Sequence, residues 1–209
     1  MLRILIADDH TVVRKGLRQI LIDQFGNPFI EEVADAEALV AKVIAEQWDV
    51  VISDINMPGR SGLDALKQIR SILPELPVLM LSMNPEEHYA LRALKAGASG
   101  YLCKESASDE LIIAVQKVLA GKKYFSPAVI EHLANNIDSD MHRSAHDYLS
   151  NRELEVMKLL ASGKSVSEIA EKLSLSVTTI STYRSRVLIK TGLKSNSDLT
   201  KYAIENRLI

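Results

Sequence analysis

Within its first 121 residues the chain alternates five times between a short apolar run and an amphipathic helical stretch. The runs are 2–7 (LRILIA), 29–34 (FIEEVA), 49–53 (DVVIS), 77–82 (PVLMLS) and 99–103 (SGYLC). The helical stretches between and after them are 11–24, 36–46, 61–72, 86–96 and 108–120. Strands that are apolar at nearly every position belong to a parallel sheet covered on both faces. The pattern therefore predicts a doubly wound α/β domain with five parallel strands, and little of that length is left for anything else.

After Gly121 the alternation stops. Residues 127–136 (PAVIEHLANN) read as a short helix with Pro in its first turn. Residues 137–147 are polar and aperiodic and read as a linker. From Leu149 on the periodicity is helical only, over 151–162, 166–173, 177–190 and 196–206. The expected organisation is an α/β domain at 1–121, a short helix and flexible linker at 122–147, and a small all-α domain at 148–209.

Charge separates the same parts. Residues 1–125 carry a net −3, residues 126–147 another −3, and residues 148–209 a net +4. Between Glu171 and Asp198 there is no acid, yet Arg184, Arg186, Lys190 and Lys194 fall there. Such asymmetry points the second half toward a polyanion, although a solvated basic face would look the same. The single cysteine, Cys103, excludes an intrachain disulfide and reads as a small core residue. No apolar run approaches the roughly 18 residues of a membrane span, and the start lacks a signal-peptide pattern. The expectation is a soluble cytoplasmic protein with no membrane partner.

The chemistry lies at the strand ends. In an open parallel sheet, ligands bind beyond the carboxyl ends of the strands, where strand order reverses. The first strand runs into Asp8 and Asp9, the third into Ser53 and Asp54, the fourth into Ser82, and the fifth into Cys103 and Lys104. Two adjacent acids repel unless a cation sits between them. Three carboxylates with oxygen ligands suit Mg²⁺. With the cation in place, Asp54 could attack phosphorus, while Ser82 and Lys104 hold the transferred oxygens. Each residue also has a plainer use. Asp9 could cap the helix at 11–24, and Asp54 could form a turn before Met57-Pro58-Gly59. Ser82 could be a loop hydroxyl, and Lys104 a snorkelling surface lysine.

The motifs ADDH, DINMPGRSGLD, LSM and GYLCK, in that order and spacing, resemble the receiver domain of two-component response regulators. The resemblance implies a flavodoxin-like fold with Asp54 as phosphoacceptor. It implies a metal held by Asp9, Asp54 and the carbonyl of Asn56, with Asp8 acting mostly through water. Ser82 would be the switch hydroxyl, Tyr101 the switch aromatic, and Lys104 the family's lysine. Many receivers carry Pro after that lysine; here Glu105 stands there.

In the second half, Ile169, Ala170 and Leu173 form one apolar face, then Leu175 and Ser176 form a tight turn. Ile180 and Val187 point inward from the following helix. Thr178, Ser181, Thr182 and Ser185 lie on another face, with Arg184, Arg186 and Lys190 alongside. Small polar groups toward base edges and cations toward phosphates suit a DNA-recognition helix; a plain helical bundle with a basic rim is the alternative. The stretch LSNRELEVMKLLASGKSVSEIAEKLSLSVTTISTYRSRVLIKTGL resembles the LuxR-type helix-turn-helix. Both resemblances together indicate the NarL/FixJ group. They place Ser181, Thr182 and Ser185 toward bases, and Tyr183 where many members have His. Helices near the end, here 196–206, would contribute to dimerisation.

A dehalogenase-type phosphatase would want an acid where Asn56 stands, and a dinucleotide enzyme a Gly-rich turn where ADDHTVV has none. A vestigial receiver on a phosphorylation-independent DNA-binding protein is a third alternative, against which the intact acid, hydroxyl and lysine set argues. The expected function is a phosphorylation-controlled transcriptional regulator, catalysing only its own aspartyl phosphorylation and dephosphorylation. Its donor would be a sensor histidine kinase or a small acyl phosphate, and its target double-stranded DNA. On phosphorylation Ser82 would move, Tyr101 would turn inward, and a homodimer would form.

Overall fold

The computed structural model describes residues 1–83, 86–105, 107–126, 129–130, 144–206 and 208–209. The chain divides into two compact units, Met1–Asn136 and Ile137–Ile209. Among the described residues, no helix is long and apolar enough to cross a membrane.

The first unit holds β1 (Arg3–Ala7), α1 (Thr11–Phe25), β2 (Phe29–Val33), α2 (Ala36–Ala45), β3 (Val50–Asp54) and α3 (Gly62–Ile72). It continues with β4 (Val78–Ser82), α4 (Glu86–Lys95), β5 (Gly100–Cys103) and α5 (Ala107–Leu119). The strands pair in parallel in the order β2-β1-β3-β4-β5. Every residue of β3 and β4 is buried, as expected for strands covered on both faces. One face packs Ile4, Ile6, Ile52 and Leu81 against Leu17 and Leu21 of α1 and Leu111 and Val115 of α5. Strand order reverses beside β1, so a crevice opens between the carboxyl ends of β1 and β3.

Side-chain caps fix two of these helices. Asp35 accepts from Ala38 N–H at 2.7 Å to start α2, and Ser61 accepts from Asp64 N–H at 3.2 Å to start α3. Such caps contribute about 1 kcal/mol each. Gly62 begins α3 because nothing larger fits: a Cβ there would stand 1.9 Å from the Asp54 carbonyl oxygen.

The outer edge of β5 is not bare. Tyr124 N–H donates to Ser99 O at 2.9 Å and Tyr101 N–H donates to Tyr124 O at 2.9 Å. The Tyr124 hydroxyl donates to Glu110 Oε2 at 2.7 Å, and Lys117 Nζ lies 5.2 Å from its ring centroid. The sequence pattern places 122–147 in a short helix and linker; in the structure Tyr124 lies along the edge of the sheet. Of the short helix expected at 127–136, Val129 and Ile130 are helical. The rest of that stretch, and most of the expected linker, lies outside the described residues.

The first described element of the second unit overlaps the expected linker, a 3₁₀ turn at Ala145–Tyr148. His146 is buried there, its Nδ1 2.9 Å from the Tyr202 hydroxyl. Then come α6 (Asn151–Ala161), α7 (Val166–Leu173), α8 (Val177–Thr191) and α9 (Asn196–Glu205). Reciprocal Ser–Glu capping boxes open α6 (Ser150 with Glu153) and α7 (Ser165 with Glu168). Ser174, at φ 53°, turns the chain between α7 and α8, and Ser176 caps α8 through Thr179 N–H at 3.0 Å. Ile169, Leu173, Ile180, Val187, Leu154 and Leu199 are all buried and form the small core.

Candidate functional site

Sheet register assembles the acidic site. Ala7 pairs with Ser53, so the next residues on each strand, Asp8 and Asp54, emerge side by side. Ser82 pairs with Cys103, and Lys104 N–H then donates to Ser82 O at 2.8 Å. Lys104 Nζ stands 2.6 Å from Asp8 Oδ2 and 2.7 Å from Asp54 Oδ2. Asp54 Oδ1 accepts from Asn56 N–H at 3.1 Å, and Asp8 Oδ1 accepts from His10 N–H at 2.8 Å. Carboxylate or imidazole atoms of Asp8, Asp9, His10 and Asp54 lie within 4.8 Å of one another. The strand-end residues read from the sequence are thus brought together.

Burial sets the electrostatics. Asp8 and Asp54 are 0 % and 2 % exposed. Desolvation pushes the Asp54 carboxyl up to about 6; Lys104 opposes this shift and the neighbouring Asp8 adds to it. Burial works to lower the Lys104 pKa, but the Asp54 and Asp8 carboxylates raise it on balance. One ammonium therefore does not compensate the acids in full. Asp8 Oδ2 and Asp9 Oδ1 are buried without a hydrogen bond, even though Lys104 and His10 each approach to 2.6 Å. Lys104 makes a close ion pair and His10 a close contact, both out of hydrogen-bond alignment. Carboxylate oxygens left with free lone pairs beside a third carboxylate fit a hard divalent cation.

Ser82 is fully buried at the end of β4. Tyr101, on β5, is 1 % exposed. Among the described residues no peptide bond is cis, that between Lys104 and Glu105 included.

In the second unit, α8 sorts its residues as the periodicity implied. Ile180 and Val187 are fully buried, while Thr178, Ser181, Thr182, Ser185 and Arg186 are exposed. The Thr182 hydroxyl donates to Thr178 O and the Ser185 hydroxyl to Ser181 O, each at 3.0 Å. Rotating either toward a base edge exchanges an intrahelical bond for an intermolecular one. Tyr183 and Arg184 are half-buried, and Arg184 Nε donates to Asn196 Oδ1 at 2.8 Å. Lys190 Nζ lies 2.6 Å from the buried carboxylate of Glu153. The structure thus engages Arg184 and Lys190 within the unit and leaves Arg186 as an exposed cation of α8.

Residues 4–116 match the response regulator receiver domain, and residues 147–203 match the luxR family of bacterial regulatory proteins. The whole chain is 37 % identical to the oxygen regulatory protein NreC of Staphylococcus epidermidis, covering 99 % of that protein. The chain belongs to the NarL/FixJ response regulators. It is equally identical, 37 %, to NreC of Staphylococcus carnosus, again over 100 % of this chain and 99 % of that one. Among solved structures it resembles RcsB from Salmonella enterica serovar Typhimurium, bound to a promoter in the presence of the phosphomimetic BeF3−. That likeness has 30 % identity and a TM-score of 0.59, over 96 % of this chain and 97 % of that one.

Some residues that shape this response regulator's sites escaped the sequence reading. Glu153 was legible as the fourth residue of a Ser-x-x-Glu box at a helix start, but its pairing with Lys190, 37 positions away, has no local signal. Tyr124 follows a Gly-Lys-Lys turn and reads as linker. Arg14 lies one turn into α1, and its side chain is only 14 % exposed.

Proposed function

We propose that this response regulator accepts a phosphoryl group on Asp54 from a sensor histidine kinase or a small acyl phosphate. The gain then shifts the chain toward a homodimer that binds double-stranded DNA. The observation that supports this most is the buried Asp54 carboxylate, held by Lys104 and Asn56 N–H beside two carboxylate oxygens that have no hydrogen bond. Asp8, Asp9, Asp54 and the Asn56 carbonyl would hold Mg²⁺, which supplies positive charge against the phosphoryl oxygens and favours ionised Asp54.

An Asp54 oxygen attacks phosphorus, the bond from phosphorus to the donor's nitrogen or oxygen breaks, and the donor leaves with that electron pair. Lys104 moves from the Asp54 carboxylate to a phosphoryl oxygen, and the Ser82 hydroxyl donates to another. Water later attacks the same phosphorus, the bond from phosphorus to the Asp54 oxygen breaks, and inorganic phosphate leaves with the Asp54 carboxylate restored. The protein's catalysis is confined to phosphorylating and dephosphorylating this one side chain. Such a regulator works in the cytoplasm, where its DNA is.

Ser181, Thr182 and Ser185 face base edges, and Arg186 faces phosphates. Thr178, Tyr183, Arg184 and Lys190 flank or brace the same helix. RcsB, the relative solved on a promoter with a phosphomimetic, supports the link between the two units. A symmetric dimer sets two recognition helices about 34 Å apart. Labelled acetyl phosphate with Mg²⁺ should label the wild type and not Asp54→Ala, and the dimer fraction in analytical ultracentrifugation should rise only in the wild type. Undiminished label in Asp54→Ala overturns the assignment.

A further inference from the structure

We infer that Arg14 is a positioning residue for the acidic loop: it holds the Asp8–Asp9 peptide in place so that both carboxylates are ready for a divalent cation. The inference rests on the proposed cation site.

The loop needs an outside restraint. Two acids follow β1 directly, and helix α1 begins two residues after Asp9. The N-cap residue, His10, makes no side-chain cap, and the first turn of α1 carries no acid. Arg14, one turn into α1, reaches back over that weakly capped start. Its Nη1 donates to the Asp8 carbonyl at 2.6 Å, and its Nη2 to the Thr11 hydroxyl at 3.2 Å. Its Nε donates to Glu32 Oε2 on β2 at 3.3 Å. One planar guanidinium thus ties the loop to both α1 and β2, a fork that lysine does not reproduce. The Glu32 carboxylate lies beside the guanidinium, so Arg14 fixes the peptide while its charge is offset. Without Arg14, the Asp8 carbonyl loses a charge-assisted bond, and the repulsion of Asp8 and Asp9 is opposed by the Asp8 N–H bond to Val33 O at 3.2 Å and the pairing of the Asp8 carboxylate with His10 N–H and Lys104.

Arg18 supplies the control. It also approaches Glu32, at 3.7 Å, and donates to Ile30 O at 2.9 Å, but makes no bond to Asp8. It anchors α1 to β2 without touching the loop.

The test measures Mg²⁺ binding by titration calorimetry on the full-length chain, with acetyl phosphate labelling rates read across Mg²⁺ concentrations. For Arg14→Ala we expect roughly ten-fold weaker Mg²⁺ binding, the scale of one lost charge-assisted bond. Its labelling rate at saturating Mg²⁺ should stay near that of the wild type. Arg14→Lys should recover only part of the affinity, and Arg18→Ala should bind Mg²⁺ as the wild type does. Unchanged affinity in Arg14→Ala overturns the inference, and so does equal weakening in Arg14→Ala and Arg18→Ala, which would mean general loosening of α1. A wild type that binds no Mg²⁺ fails the metal part of the proposed function instead.

Discussion

Lys104 Nζ lies 2.7 Å from Asp54 Oδ2, and the same ammonium lies 2.6 Å from Asp8 Oδ2, so one buried cation bridges the ends of β1 and β3. The Lys104 side chain is 5 % exposed. Its removal leaves two carboxylates facing each other without compensation. Lys104→Ala should therefore lose about 3 kcal/mol of stability in chelator. Mg²⁺ should return much of that loss, because a ligand of the folded state stabilises it by mass action. Urea unfolding with EDTA and with Mg²⁺ checks this; equal losses in both would contradict it.

Asp54→Asn should act in the opposite direction. The amide keeps the shape, removes the charge, and leaves Lys104 paired with Asp8. In the folded chain burial keeps the Asp54 proton to about pH 6, against 3.8 ordinarily. Between roughly pH 4 and 6 the folded state therefore binds more protons than the unfolded state, and stability falls as pH rises. Above that window the loss is complete, on the order of 3 kcal/mol. The metal-free variant should match the wild type near pH 4 and exceed it at pH 7. Thermal melts across that range in EDTA give the answer, and a pH-independent difference would exclude the burial account.

The strand ends were legible because a parallel sheet with both faces covered writes itself as continuous apolar runs, and the residues after each run must sit at one rim. Asp8, Asp54, Ser82 and Lys104 could be placed that way with no knowledge of register. Whether Lys104 meets one acid or two depends on register, which is set between strands far apart in the chain. The α8 face was legible from the seven-residue spacing of Ile180 and Val187. The partners of its cations were not. Arg186 and Lys190 look alike in sequence, and only the fold brings buried Glu153 under Lys190.

Gly100→Ala tests how firmly Tyr124 holds the edge of β5. A Cβ at Gly100 would stand 2.6 Å from Tyr124 O and 2.6 Å from Leu79 Cδ2. The Leu79 side chain can adjust; a backbone carbonyl in a ladder cannot do so without breaking its bond from Tyr101 N–H. Overpacking of this kind costs about 1–3 kcal/mol. Hydrogen exchange at the Tyr101 amide should speed up strongly in Gly100→Ala, and that of Ile52 in the middle of β3 should change only by the global loss. Unchanged protection at Tyr101 would show that the segment yields without cost.

Arg186 and Lys190 should separate affinity from stability. Arg186 is exposed on α8, so its cation is free to approach a phosphate. Lys190 is 40 % exposed at the side chain, and its ammonium lies 2.6 Å from a Glu153 carboxylate that is 3 % exposed. Burial works to raise the Glu153 pKa, but Lys190 and the Ser150 backbone and hydroxyl lower it on balance, which keeps the carboxylate ionised. Lys190→Ala would strand that charge inside α6, and Glu153 is also the reciprocal half of the box that starts the helix. The variant should lose about 1–2 kcal/mol, less than a fully buried pair because water reaches the lysine. Lys190→Met should lose as much, since it keeps the stem and still removes the charge. Arg186→Ala should unfold like the wild type. Its affinity should fall on every DNA sequence alike, and the slope of log affinity against log salt should drop by about one. Chemical unfolding of the full-length chain and DNA titrations at several salt concentrations decide the matter together. If Lys190→Ala is as stable as the wild type and shows the reduced salt slope, Lys190 is a phosphate contact and the Glu153 pair is incidental.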